Sequence, residues 1–172
     1  MNIRIGIFLL ACVLLTQTYA EKINSQTVKN VNIGKYLGTW YEVARFPHSF
    51  EKNLDRVTAT YSVREDGKIK VENTGYLPDG KQKTAIGKAY IPDASDASRL
   101  KVSFFWIFYG DYFILELDEK NYQWAMVGSG TSDYLWILSR APKLDDKIYA
   151  ELLNRAGSRG YDLSKLIKVR QE

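Results

Sequence analysis

Few side chains in this 172-residue chain are of the kinds that perform chemistry. It has one histidine, His48, and one cysteine, Cys12. General-base or nucleophilic catalysis needs such a group held against a partner at hydrogen-bond distance. His48 falls in a stretch that reads as a loop, and Cys12 falls in an apolar leader. There is no H-E-x-x-H, no G-x-S-x-G and no phosphate loop, and Gly128-Ser129-Gly130 reads as a turn. No catalytic residue, metal set or cofactor is therefore expected, and haem iron would have only His48 or a tyrosine to hold it. What remains is binding chemistry: aromatic and aliphatic residues at alternating spacing, with one acid among them. Glu42 shares its phase with Trp40. It reads either as an inward carboxyl that neutralises or orients a head group, or as a solvated, ion-paired residue on a twisted strand.

The elements that must position these residues are strands. Trp40, Glu42, Ala44 and Phe46 alternate with Tyr41, Val43 and Arg45, because successive strand side chains point to opposite faces. Both sets carry apolar bulk, so both faces should be covered. A long connection, 47–56, has apolar anchors at Phe50 and Leu54 and could fold over a cavity mouth as a lid. Seven further strands follow at nearly regular spacing with turn signals between them: 57–64, 69–76, 82–91, 99–105, 112–117, 122–127 and 134–139. In the fourth strand Ala85, Gly87 and Ala89 share a phase, and small residues facing inward make room rather than fill it. The strand 112–117 is apolar in both phases, so its inward face is not fixed by pattern. The period then changes. Leu144, Ile148 and Leu152, with Tyr149, Leu153 and Ala156, mark one amphipathic helix after Pro142, ended by Gly157 or Gly160. A short strand, 166–169, follows. Eight antiparallel strands have an edge problem unless the sheet closes, and closure into a barrel leaves central room for one small ligand.

Composition narrows the partners. With 24 Lys and Arg against 20 Asp and Glu, interspersed, the net charge of +4 is not gathered into a nucleic-acid footprint. A 45% hydrophobic content supports one core and one domain. Residues 1–20 read as a signal peptide: Arg4, then an apolar run too short to span a bilayer, then Thr18-Tyr19-Ala20. Cleavage after Ala20 and lipidation at Cys12, in the lipobox-like Leu9-Leu10-Ala11-Cys12, both stay open. Either way the folded part has no thiol and forms no disulfide. Residues 21–31 read as a mobile polar leader and 32–172 as the folded domain.

Gly38-Thr39-Trp40 resembles the G-x-W motif of the lipocalins, and Arg140 after Tyr134-Leu135-Trp136-Ile137-Leu138-Ser139 resembles the arginine of that family's third conserved region. The run 34–46, Thr58-Ala59-Thr60-Tyr61-Ser62, Gly87-Lys88-Ala89-Tyr90 and Lys101-Val102-Ser103-Phe104-Phe105 resemble the bacterial subgroup, with an apolipoprotein D-like animal relative. The family's T-D-Y is replaced by Leu117-Asp118-Glu119, which keeps only the acid.

The resemblance implies an all-β, eight-stranded antiparallel up-and-down barrel with one C-terminal α-helix packed outside. Trp40 and Arg140 become a structural clasp at the closed end. It implies binding and carriage of a fatty acid or lysophospholipid, in the periplasm or at the outer membrane, by a monomer or weak homodimer. The expected ligand-binding residues are Glu42, Ala44, Tyr61, Val71, Ala89, Phe104, Trp106, Tyr112, Ile114, Met126, Trp136 and Leu138. Alternating strand ends place the apolar turn Trp106-Ile107-Phe108 at the open mouth, where it would meet a membrane or a partner, or fold inward as a plug. The alternatives are a carrier of a tetrapyrrole or terpenoid, a lipocalin-fold isomerase, and an envelope protein that binds nothing.

Overall fold

The computed structural model describes residues 23–172; the signal-peptide and Cys12 readings lie outside the described residues. Eight antiparallel strands run in sequence order: β1 (Gly38–Arg45), β2 (Asp55–Val63), β3 (Ile69–Tyr76), β4 (Gln82–Tyr90), β5 (Arg99–Phe105), β6 (Phe108–Leu117), β7 (Trp124–Gly128) and β8 (Leu135–Ser139). Each pairs with the next, and β1 pairs with both β2 and β8, so the sheet closes into a barrel. The regular turn spacing produced this meander, and closure satisfies the backbone groups an open edge would expose.

The apolar residues divide into two layers. Inside lie Trp40, Ala59, Tyr61, Val71, Leu100, Val127 and Leu138. Outside, on the opposite faces of β1, β6, β7 and β8, lie Ala44, Leu115, Met126 and Ile137. The cover expected for this second layer is helix α2 (Asp146–Ser158), preceded by the one-turn helix α1 (Ile33–Tyr36) near the start of the chain. In α2, Leu152 and Ala156 are buried against the barrel. Asp145 caps the helix by accepting from the backbone N–H of Lys147 and Ile148. Arg155 and Arg159, near its C-terminus, both reach Glu116 on β6, at 2.7 and 2.6 Å.

Two irregularities alter which residues face inward. A bulge in β1 between Glu42 and Ala44 shifts its register against β8. It reverses the phase, so Ala44 and Phe46 turn outward beneath α2 while Arg45 turns inward. A second register shift, between Ile114 and Glu116, leaves Ile114 and Leu117 inside and points Glu116 at the helix.

The two chain ends are built into the wall. Residues 23–31 are not a mobile leader. Ile23 and Val31 are buried, the Val28 N–H donates to the Ile114 carbonyl, and Arg159 donates to the carbonyls of Asn24 and Gln26. The short C-terminal strand β9 (Ile167–Lys168) pairs with β1 at Ala44 and Arg45, above the point where β1 pairs with β2. The Gln171 amide bridges the Glu42 and Val57 carbonyls, and Arg170 pairs with Asp55 at 2.7 Å. The end of the chain thus fills the seam where β1 and β2 part.

Candidate functional site

The closed end is sealed by the two residues the motifs singled out. The Arg140 guanidinium lies 3.8 Å from the Trp40 ring centroid, a cation–π contact. It also donates to the carbonyls of Lys35, Tyr36, Leu37, Thr39 and Tyr122. The first four run from α1 to the start of β1, and the fifth lies in the β6–β7 turn. The Trp40 indole donates to the Tyr36 carbonyl at 2.8 Å, and Trp40 has no exposed surface. Asp118, the acid kept from the altered motif, closes the β6–β7 turn by accepting from the N–H of Asn121 and Gln123.

Above this floor is a cavity of about 440 Å³, ordinary for a small-molecule site. Of the expected residues, Glu42, Tyr61, Val71, Phe104, Tyr112, Trp136 and Leu138 border it. Five do not. Ala44 and Met126 are buried outside the barrel under α2, Ala44 because of the β1 bulge and Met126 because β7 presents Ala125 and Val127 inward instead. Ala89 and Ile114 pack inside the barrel but do not border the cavity. Trp106 is 83% exposed at the tip of the β5–β6 turn. Gly87 meets the room-making expectation in a specific way: a Cβ there would lie 2.6 Å from the Ser103 carbonyl oxygen and 2.8 Å from the Phe104 ring. Its absence lets Phe104 lie across β4 as cavity wall.

The cavity holds two polar stations. Deep inside, Tyr112 is the hub of three phenols, 2.7 Å from the Tyr36 hydroxyl and 2.8 Å from that of Tyr61. Three O–H donors sharing two hydrogen bonds leave one proton over. Burial pushes all three phenols above their ordinary range. The second station was missed by sequence reasoning. Arg45, turned inward by the bulge, sits between Glu42 at 3.4 Å and Glu51 at 3.3 Å, and all three are nearly inaccessible to solvent. Glu42 and Glu51 border the cavity while Arg45 does not. Two acids against one guanidinium leave one carboxyl over. Burial, then the charge of Glu51, raises the Glu42 carboxyl well above the carboxylate range. The sequence carried no clear signal for it: Glu51 sits in a stretch with Lys52, Asp55 and Arg56, and nothing in that run marks one acid for burial.

Arg45 also holds the lid. Its guanidinium donates to the carbonyls of Glu51 and Leu54, fixing 46–54 from within. From outside, the His48 ring stacks on Phe50 and Tyr134 at 5.1 and 4.9 Å and lies tilted against Trp136 at 4.8 Å. Burial lowers the His48 pKa to about 4, with help from the Arg45 charge. A second chamber of about 800 Å³ opens beneath this lid, between the β3–β4 and β5–β6 hairpins. It shares Phe50, Glu51, Asn73, Phe104 and Tyr134 with the first. Around the mouth Phe105, Ile107 and Phe108 are exposed with Trp106, at 78, 66 and 73%.

A family model described as "Lipocalin-like domain" matches residues 31–171. The chain is similar to the protein named outer membrane lipoprotein Blc of Vibrio cholerae, at 45% identity over 97% of this chain and 99% of that one. It is similar to the protein of the same name in Escherichia coli K12, at 50% identity over 84% of this chain and 81% of that one. To apolipoprotein D of Mus musculus it is 36% identical, over 83% and 78%. Among solved structures, insecticyanin of the tobacco hornworm Manduca sexta superposes with a TM-score of 0.69 at 21% identity, over 88% of this chain and 85% of that one. At that identity the likeness speaks for the barrel alone.

Proposed function

The chain belongs to the lipocalin family, and on that premise we propose that it binds and carries an amphiphilic lipid, its acyl chain lying in the barrel cavity. The observation that supports this most directly is an apolar chamber with a sealed floor, two polar stations and a mouth ringed by exposed aromatic side chains. Burying an alkyl chain of about a dozen carbons at about 0.8 kcal/mol per CH₂ gains about 10 kcal/mol before immobilisation is subtracted. The names of the bacterial relatives support a place at the outer membrane.

The exposed Phe105, Trp106, Ile107 and Phe108 are the membrane contact in this reading. An apolar turn of that size is costly in water and gains by entering a lipid interface. The expectation that Trp106 plugs its own cavity has no support in its exposure. Solvent extraction of the purified protein followed by mass spectrometry tests the carriage. Released acyl lipids are the expected result, whereas a released pigment points to the tetrapyrrole or terpenoid alternative, and no released compound removes the carrier reading.

A further inference from the structure

The ligand's head group can be read one step further from the polar station at the lid, resting on the carrier reading just given. We propose that Glu42 and Glu51 form a subsite for a hydrogen-bond-donating, cationic head group, a primary ammonium, and discriminate against a carboxylate. Three observations carry this. The two acids face the cavity and the one guanidinium between them does not, so the surface a ligand meets is acidic although Arg45 lies within 3.4 Å of both. Asn73, on the same cavity, has a buried carbonyl Oδ1 that accepts from no partner among the described residues. Thus three acceptor groups border one chamber, and a primary ammonium brings three N–H donors. A ligand carboxylate would bring only further acceptors, and Arg45, although its Nε makes no hydrogen bond among the described residues, lies against two carboxyls and two backbone carbonyls and does not border the cavity.

The proton count points the same way. The proton that Glu42 retains beside Glu51 is replaced by the ligand's cation, so ammonium binding expels it and leaves two carboxylates against two positive charges. Other ionisable groups around the chamber do not take this role. Tyr61 and Tyr112, from β2 and β6, stay neutral because burial raises their phenols. His48, from the lid, is neutral above about pH 4. Lys101 and Asp111, at the cavity edge, are paired at 2.6 Å.

The test titrates the protein calorimetrically with three amphiphiles of equal chain length: dodecylamine, dodecan-1-ol and dodecanoate. Near pH 7 the amine is expected to bind at least about tenfold tighter than the carboxylate, the advantage of a charge-assisted over an unmatched contact. In two buffers of different ionisation enthalpy it should release up to about one proton per molecule bound. Glu42→Gln, which keeps the shape of the protonated acid, should cut amine affinity about fivefold or more and abolish the proton release. Glu51→Gln serves as the second variant and should weaken the amine likewise. Dodecanoate binding as tightly as the amine, or amine affinity indifferent to both substitutions, overturns the subsite while leaving the carrier reading intact. Failure of all three to bind overturns the carrier reading itself.

Discussion

The two ends of this barrel solve opposite problems with the same kinds of side chain. At the closed end an arginine and a tryptophan are spent on rigidity: Arg140 lies over Trp40 and satisfies five backbone carbonyls. At the open end Arg45 secures a lid, and Trp106 stands in solvent. The difference is one of partners. Among the described residues Arg140 pairs with no carboxylate, and its bonds to neutral carbonyls do not depend on pH over the working range. Arg45 is held by two acids whose carboxyls burial raises above their ordinary range, so its grip depends on their ionisation. One end is built to stay shut and the other to respond.

Substitutions at the two ends should therefore separate stability from function. The largest effect is expected at the floor, where Trp40→Ala empties a fully buried site and should cost about 3–5 kcal/mol by urea denaturation. A loss under 1 kcal/mol, roughly that of a surface change, would mean that the floor is not the rigid end. Arg45→Met should cost nearly as much, about 3 kcal/mol, since it leaves two buried acids without a cation. Unlike the floor variant, it should also speed amide exchange in 46–54. Gly87→Ala forces a Cβ toward a backbone carbonyl and the Phe104 ring, and should cost about 1–3 kcal/mol while narrowing the cavity, read as weaker binding of long acyl chains.

The pH dependence sharpens the same contrast. Glu42 holds its proton more tightly in the folded chain than at its ordinary value of 4.5, so its contribution is fully present below that pH and is lost as pH rises through the folded value. His48 has the opposite sign. Its pKa falls from 6.5 to about 4 on folding, so its contribution is present above pH 6.5 and is lost as pH falls toward 4. Stability should decline on both sides, with the alkaline limb flattened by Glu42→Gln and the acid limb by His48→Gln. If both variants keep the parent profile, the lid is not the pH-sensitive end. The smallest stability effect, within about 0.5 kcal/mol, is expected for Trp106→Ser combined with Phe108→Ser. That pair should nonetheless abolish flotation with anionic vesicles, which the floor variants leave untouched.

How far the sequence disclosed this arrangement depended on whether alternation held. The strand β2, with Ala59 and Tyr61 in one phase and Thr58 and Thr60 in the other, was legible because only one phase is apolar. Trp40 and Arg140 were legible through the resemblance of Gly38-Thr39-Trp40 and of Arg140 after β8 to family motifs, and not from periodicity. Ala44 and Arg45 were misplaced because one bulge reverses every residue after it, and nothing in Val43 or its neighbours announces a bulge. Met126 was misplaced for a different reason: β7 is apolar in both phases, one facing the interior and the other α2, so periodicity holds no information about direction. The Glu42, Arg45 and Glu51 station depends on the bulge and on a loop folding back, both of them tertiary events.

The seam filled by residues 167–171 bears on how the molecule is made. The first strand to be synthesised, β1, takes two of its partners, β8 and β9, from the opposite end of the chain. A polypeptide delivered across a membrane from its amino end would present that strand early, with one edge unpaired through most of the transit. Long-separation pairings of this sort are slow to form and leave sticky edges meanwhile. The wall around β1 is therefore finished only when the last residues of the fold have docked.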